Sequence, residues 1–140
     1  MVKLNKSTRF ALYSVVELSL HPDGILSASE IAQKYNISEH HVAKVLQQLV
    51  RAQMIRSIRG TKGGFQIARD PKEITMLDVI TLFEPLASQE GCLLLDFGAA
   101  CELKQACRIG EVFAEIQEQA VYTLQSISIA TLISPKKMVQ

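Results

Sequence analysis

No stretch of this chain holds the roughly eighteen uninterrupted apolar residues that a membrane span requires, and its start, MVKLNKSTRF, lacks the apolar core of a signal peptide. A cytoplasmic protein with no membrane partner is expected. Tryptophan is absent and cysteine is scarce: Cys92, Cys101 and Cys107 are the only thiols, all within GCLLLDFGAACELKQACRIG. An odd number of thiols in a reducing compartment argues against a disulfide framework and leaves metal binding, redox activity or inert sulfhydryls. Their spacing, C-x8-C-x5-C, is neither the C-x2-C pair of zinc ribbons and redox disulfide enzymes nor a set of four thiolates. Also missing is any Cys-His, Ser-His or paired-carboxylate motif in a recognisable catalytic context, so an enzyme is not expected. No internal repeat or low-complexity segment occurs.

Net charge is nearly absent too, at +1, but it is unevenly spread. Residues 1–69 hold ten Lys/Arg against four Asp/Glu, a balance of +6, whereas residues 70–140 hold five against ten, a balance of −5. The total excludes strong nonspecific attraction by the molecule as a whole, and the basic half points to a polyanionic partner.

What is present is mostly helical periodicity. KSTRFALYSVVELSL (6–20) puts Ala11, Leu12, Val15 and Val16 at helical spacing. HPDG (21–24) is turn chemistry, and Ser27 with Glu30 three residues on forms a capping box for a helix through Tyr35. Ser38 can cap a third helix in which Val42, Val45, Leu46 and Leu49 form the apolar stripe. MIRSIRGTKGGFQIARD then reads as two short strands joined by a glycine-rich turn, a wing. Thr75 and Asp78 cap a further helix with Met76, Val79, Ile80 and Phe83 on its apolar side, ended by Pro85. Residues 86–107 follow neither period and read as an ordered loop. From Arg108 the residues Ile109, Val112, Phe113, Ile116, Ala120, Thr123, Leu124 and Ile127 follow one face for about five turns, with Val121 and Ile129 on the other. So much apolar surface favours a second copy of the chain as partner.

The fold expected is therefore mainly α with a small β-hairpin wing: a winged helix-turn-helix DNA-binding domain at 1–85, a cysteine loop at 86–107, and a dimerisation helix with C-terminal tail at 108–140. In a helix-turn-helix the second helix enters the major groove and its outward side chains meet base edges. The outward set is His40, His41, Lys44, Gln47 and Gln48, behind the capping Ser38, and these are donors and acceptors of suitable reach for bases or phosphates. In the wing, Arg59 and Lys62 flank Gly60, Gly63 and Gly64, which let backbone approach a phosphate or enter a minor groove. His40 and His41 are adjacent, about 100 degrees apart on a helix, and make a poor metal-chelating pair. His21 lies in a turn with no role expected. In the cysteine loop, three thiolates can ligate three irons of a cubane cluster and leave one position for a weaker or exchangeable ligand.

A winged helix with RGTKGG in its wing, the helix ITMLDVITLFEPL, a three-cysteine loop ending ACRI and a long final helix together resemble the IscR, NsrR and RirA regulators, the Rrf-two family. The resemblance spans residues 3 to about 134, and HHVAKVLQQL and FEPL are most similar to the NsrR and RirA branches. It implies a homodimer that binds partly palindromic operators in double-stranded DNA and carries an iron-sulfur cluster on Cys92, Cys101 and Cys107, 4Fe-4S favoured over 2Fe-2S. The cluster would report nitric oxide, iron or redox state, and the regulator is expected to be a repressor. The chain departs from the family pattern in three places. Its first cysteine interval is longer than in most members. Gly110 stands where IscR-type members place a ligand histidine, and Arg9 where some NsrR-type members offer an aspartate. Glu111, Glu102 and Asp96 are the local candidates for a fourth ligand. The alternative is a clusterless DNA-binding regulator that responds to thiol oxidation or to a protein partner.

Overall fold

The computed structural model describes residues 4–84 and 108–135. Helix α1 (Lys6–Leu20) starts where Asn5 Oδ1 accepts the amide of Thr8 at 2.8 Å, meeting one of the orphan donors of the first turn. Helix α2 (Ala28–Tyr35) opens with the expected capping box, Glu30 N donating to Ser27 Oγ at 3.1 Å and Ser27 N to Glu30 Oε2 at 2.7 Å. It ends at Asn36, whose φ of 54° is the left-handed conformation that asparagine tolerates at a helix end. Ser38 Oγ then accepts the His41 amide at 3.3 Å and begins α3 (Glu39–Arg51), so only Asn36, Ile37 and Ser38 separate the two helices. Phe10, Ala11, Val15 and Leu18 of α1 meet Ile31 and Ala32 of α2 and Val42, Val45, Leu46 and Leu49 of α3 in one buried cluster.

After a left-handed turn at Gln53 (φ 62°), strands β1 (Ile55–Ile58) and β2 (Gly64–Ile67) form an antiparallel hairpin in the register Ile55↔Ile67 to Ile58↔Gly64. The periodicity did not reveal that Leu26 joins this sheet as an isolated bridge to Phe65: Leu26 N donates to Phe65 O at 3.0 Å and Phe65 N to Leu26 O at 2.8 Å. The turn before α2 is thereby stitched to the wing. Asp70 caps a single turn of 3-10 helix at Pro71–Glu73, also unforeseen, which leads to the fully buried Ile74. Thr75 and Asp78 form the second expected capping box at 3.0 Å in both directions, opening α4 (Met76–Thr81) with Val79 and Ile80 buried. Pro85, expected to end this helix, lies outside the described residues.

The C-terminal part departs from its expected form. Helix α5 runs Arg108–Ser126 and then breaks, and Ser128 caps a separate short helix, α6 (Ile129–Ile133), by accepting the Thr131 amide at 3.4 Å. Ile129 is thus not on the far face of a projecting helix. It is 0% exposed in the same core as Leu18 and Val79. Two backbone bonds outweigh helical continuity at this point, Met76 N to Ile127 O at 2.9 Å and Ile129 N to Ile74 O at 2.8 Å, along with the burial of Ile129 itself. Replacing Ile129 by Ala is expected to cost about 2–5 kcal/mol of stability, read as a lower urea midpoint at unchanged slope. A loss below about 0.5 kcal/mol would return residue 129 to the surface.

Along α5, Phe113, Ala120, Val121 and Leu124 are half-buried, and the helix packs against α4. Ile109 (60% exposed), Val112 (55%) and Ile116 stand out at i, i+3 and i+7, and Tyr122 is 74% exposed. No helix of the described residues is long and apolar enough to cross a membrane.

Candidate nucleic-acid interface

The apolar stripe of α3 fixes which side of that helix faces outward. With Val42, Val45, Leu46 and Leu49 buried, His40, Lys44 and Gln47 lie along the opposite line and are exposed, with Gln48 exposed on its shoulder and Ser38 exposed at the cap. Arg51 continues the same line, four residues beyond Gln47, and is also exposed. It extends the donor row and was readable from the i, i+4 spacing alone.

His41 does not join this set. Its ring turns back toward α1, with Nε2 2.9 Å from Ser7 Oγ and the ring edge-on to Phe10 at 4.7 Å between centroids. The expectation that it points outward is corrected by helical geometry: position 41 lies on the side of α3 nearest α1, and an aromatic ring there gains apolar contact that exposure would forfeit.

The same contact brings the first turn of α1 beside the first turn of α3. That turn carries Lys6 and Arg9, both exposed, and no acidic residue. Positive charge at a helix N-terminus opposes the helix dipole, so two basic residues there are unfavourable to the isolated helix and favourable to an anion bound alongside. The signal is KSTR directly after the Asn5 cap, whose bearing depends on α1 lying beside α3.

The wing is a five-residue connection between Ile58 and Gly64. Within it Gly63 N donates to Gly60 O at 3.0 Å, which places Thr61 and Lys62 at the tip, both exposed, with Arg59 exposed at its base. The three glycines have separate reasons. Gly60 needs its φ of 119°, which side chains rarely adopt, and open space surrounds it. A Cβ at Gly63 would stand 2.4 Å from Ile58 O, and one at Gly64 would stand 2.6 Å from Leu26 O. The Gly64 requirement is met inside the protein by the Leu26 bridge, so closeness to a ligand is not needed to explain it.

A polar cluster ties α1 to the end of α2 behind this surface. The buried Glu17 carboxylate accepts from Lys34 Nζ with both oxygens, at 2.8 Å on Oε1, and from the Tyr35 hydroxyl at 3.3 Å. Burial, followed by the Glu17 charge, pushes the Tyr35 phenol up to about 12, so it remains a donor at any physiological pH. Tyr35 stacks on Tyr13 at 4.7 Å with the rings parallel to within 2°. Lys34 is therefore engaged within the fold, unlike the basic residues of the wing and of α3.

Cys92, Cys101 and Cys107, with Glu102 and Asp96, lie outside the described residues. Glu111 is exposed in the first turn of α5, four positions after Cys107. Among the described residues no three His, Cys, Asp or Glu side chains converge as a metal site.

Comparison with known proteins gives this geometry a context. Residues 4–135 match the Rrf2 family, described as iron-dependent transcriptional regulators. The chain is 43% identical over 132 residues to BadM of Rhodopseudomonas palustris, named as an HTH-type transcriptional regulator, covering 94% of this chain and 81% of that one. Among solved structures it is similar to CymR, described as the global cysteine regulator of B. subtilis (27% identity, TM-score 0.76, covering 95% of this chain and 97% of that one). The fold is also that of T. potens IscR (24% identity, TM-score 0.74, covering 99% and 93%). With a helix-turn-helix, a wing and a match across nearly its whole length, the chain belongs to the Rrf2 family: it is a DNA-binding winged-helix transcriptional regulator and not an enzyme.

Proposed function

We propose that the chain is a repressor that binds a partly palindromic operator as a homodimer, with its affinity set by a 4Fe-4S cluster on Cys92, Cys101 and Cys107. The observation that carries the DNA reading is the exposed line His40, Lys44 and Gln47, directly opposite the buried stripe of α3. Gln pairs bidentately with adenine, Lys reaches the acceptors of guanine, and His40 can serve either base or phosphate. Gln48 and Ser38 flank this line toward the neighbouring backbone. Arg59 and Lys62 at the wing, together with Gly60, Gly63 and Gly64, suit phosphates or a narrow minor groove. Lys6 and Arg9 add positive charge on the α1 side.

The homodimer is supported by the exposed row Ile109, Val112 and Ile116 on α5, which a symmetric copy would cover with the same row. The cluster is supported by the donor chemistry of three soft thiols in one segment and by the family's iron-dependent description. When bound, such a cluster supplies a redox-sensitive, ligand-accepting iron centre. The cysteine segment leads directly into α5, so a change of its state acts on the helix that would join the two copies. The likeness to CymR favours a second reading, in which the same three cysteines serve as ordinary sulfhydryls and the regulator responds to thiol oxidation or a protein partner.

Footprinting on duplexes selected from a randomised library tests the dimeric reading. Two protected half-sites about one helical turn apart, with two chains per duplex, are expected. Protection of one half-site by one chain overturns it.

A further inference from the structure

We propose that the Ser7–His41 hydrogen bond is a pin that fixes the pose of α3, making Ser7 and His41 positioning residues for base reading and not DNA contacts themselves. The inference rests on the reading of α3 as the recognition helix. His41 stands one residue after His40 and three before Lys44, so whatever orients its ring orients the two outward side chains on either side of it.

The apolar contact between α1 and α3 is extensive, but burial is non-directional. It sets how far apart the helices lie and tolerates small rotations and slides between repacked states. The hydrogen bond from the His41 ring to Ser7 Oγ, 2.9 Å, is directional and singles out one of those poses. Which partner donates depends on the ring tautomer, and either assignment makes the same link. The ring's edge-on contact with Phe10 and the Ser38 cap on its own amide leave His41 little freedom of its own.

The α1 side of the pin is equally well held. Asn5 Oδ1 accepts from Thr8 N at 2.8 Å and from Thr8 Oγ1 at 3.0 Å. The Asn5 backbone amide and side-chain amide donate to Glu84 Oε1 and to Phe83 O, each at 3.3 Å. Two separate sets of hydrogen bonds thereby converge on the start of α1, one from α3 at Ser7 and one from the residues following α4 at Asn5, and the backbone between Asn5 and Ser7 connects them. Side-chain tips lie about 6 Å from a helix axis, so a ten-degree rotation of α3 displaces them by about 1 Å. That exceeds the roughly 0.5 Å within which a recognition group must be held. Phosphate contacts made by flexible Lys and Arg side chains survive such a shift, and bidentate base contacts do not.

The test measures binding of the full-length chain by fluorescence anisotropy over a salt series. The probes are a duplex selected by the parent protein from a randomised library and a scrambled duplex of equal length. Ser7→Ala and His41→Phe, the latter retaining a ring against Phe10, are each expected to weaken the selected duplex roughly fivefold, with the scrambled duplex and the salt slope unchanged. The double variant should be no weaker than either single one, because both remove the same bond. Ser7→Thr should restore binding. Equal losses on both duplexes, a salt slope reduced by about one for His41→Phe, additive losses, or no loss for Ser7→Ala would each overturn the pin. Lys44→Ala in the same assay separates the two readings. If it relaxes base preference while Ser7→Ala changes nothing, only the pin fails. If Lys44→Ala also leaves preference intact, the assignment of α3 fails and the pin with it. Circular dichroism melts report folding, and the Ser7→Ala and Ser7→Thr pair decides the matter should His41→Phe fail to fold.

Discussion

Protein purified without oxygen is expected to be brown, from thiolate-to-iron charge transfer, and replacing any one of Cys92, Cys101 or Cys107 by Ala is expected to remove most of that colour. Each thiolate in the proposed site holds one iron, and two remaining thiolates retain a cluster poorly. The sequence holds no fourth cysteine for the remaining position. A carboxylate such as Glu111 or a solvent molecule there binds iron more weakly than its sulfur-held neighbours, since iron-sulfur sites prefer soft ligands. Nitric oxide, oxygen or a chelator should therefore bleach the protein quickly, with DNA affinity changing in step with absorbance. The checks are the anaerobic visible spectrum and the iron and sulfide content of the parent and of the three single variants. A colourless anaerobic preparation that binds zinc stoichiometrically removes the cluster. A colourless preparation whose DNA binding changes on mild oxidation selects the sulfhydryl reading.

The second large effect separates affinity from preference. DNA binding should fall steeply with salt as Lys and Arg release counterions from the phosphates. Arg59→Ala and Lys62→Ala are expected to weaken every duplex and to lower the salt slope by about one each, or to weaken AT-rich flanks most if the wing enters the minor groove. Lys44→Ala and Gln47→Ala are expected to cost about 1–3 kcal/mol on the preferred duplex and little elsewhere, so that base preference relaxes. Competition against random duplexes at two salt concentrations measures both quantities. If the α3 variants lose equally on preferred and random DNA, the wrong face of that helix has been taken as the reading face.

The parts of the fold that could be read in advance are those written in local chemistry. Ser27 with Glu30, Ser38, and Thr75 with Asp78 each satisfy backbone donors at a helix start through their own side chains. The beginnings of α2, α3 and α4 follow from three- and four-residue patterns. The wing was legible because RGTKGG concentrates the residue that turns of this tightness demand.

What escaped depends on distant partners. The helical period of α5 continues on paper through Ile127 and Ile129, and only backbone bonds from Met76 and to Ile74, some fifty residues earlier, interrupt it. Leu26 carries no strand signal until Phe65 is beside it. His41 lies about 100 degrees round α3 from His40, on the flank of the helix, and its inward turn is decided by Ser7 and Phe10 on another helix. Of the candidate site, the outward row of α3 was visible as the complement of an apolar stripe. The basic first turn of α1 is equally plain as KSTR, but its relevance arises from where α1 packs.

The break after Ser126 ties one end of α5 into the core, through the bonds at Ile127 and Ile129 and the strand-like bridge between Thr75 and Ser128. At 1.5 Å per residue its nineteen residues span about 28 Å. Over that length a change of about five degrees in the direction in which α5 leaves the bridge corresponds to roughly 2.5 Å at Arg108, the residue after Cys107, with Ile129 still seated in the core. The direction of α5 is thereby set beside the capped start of α4.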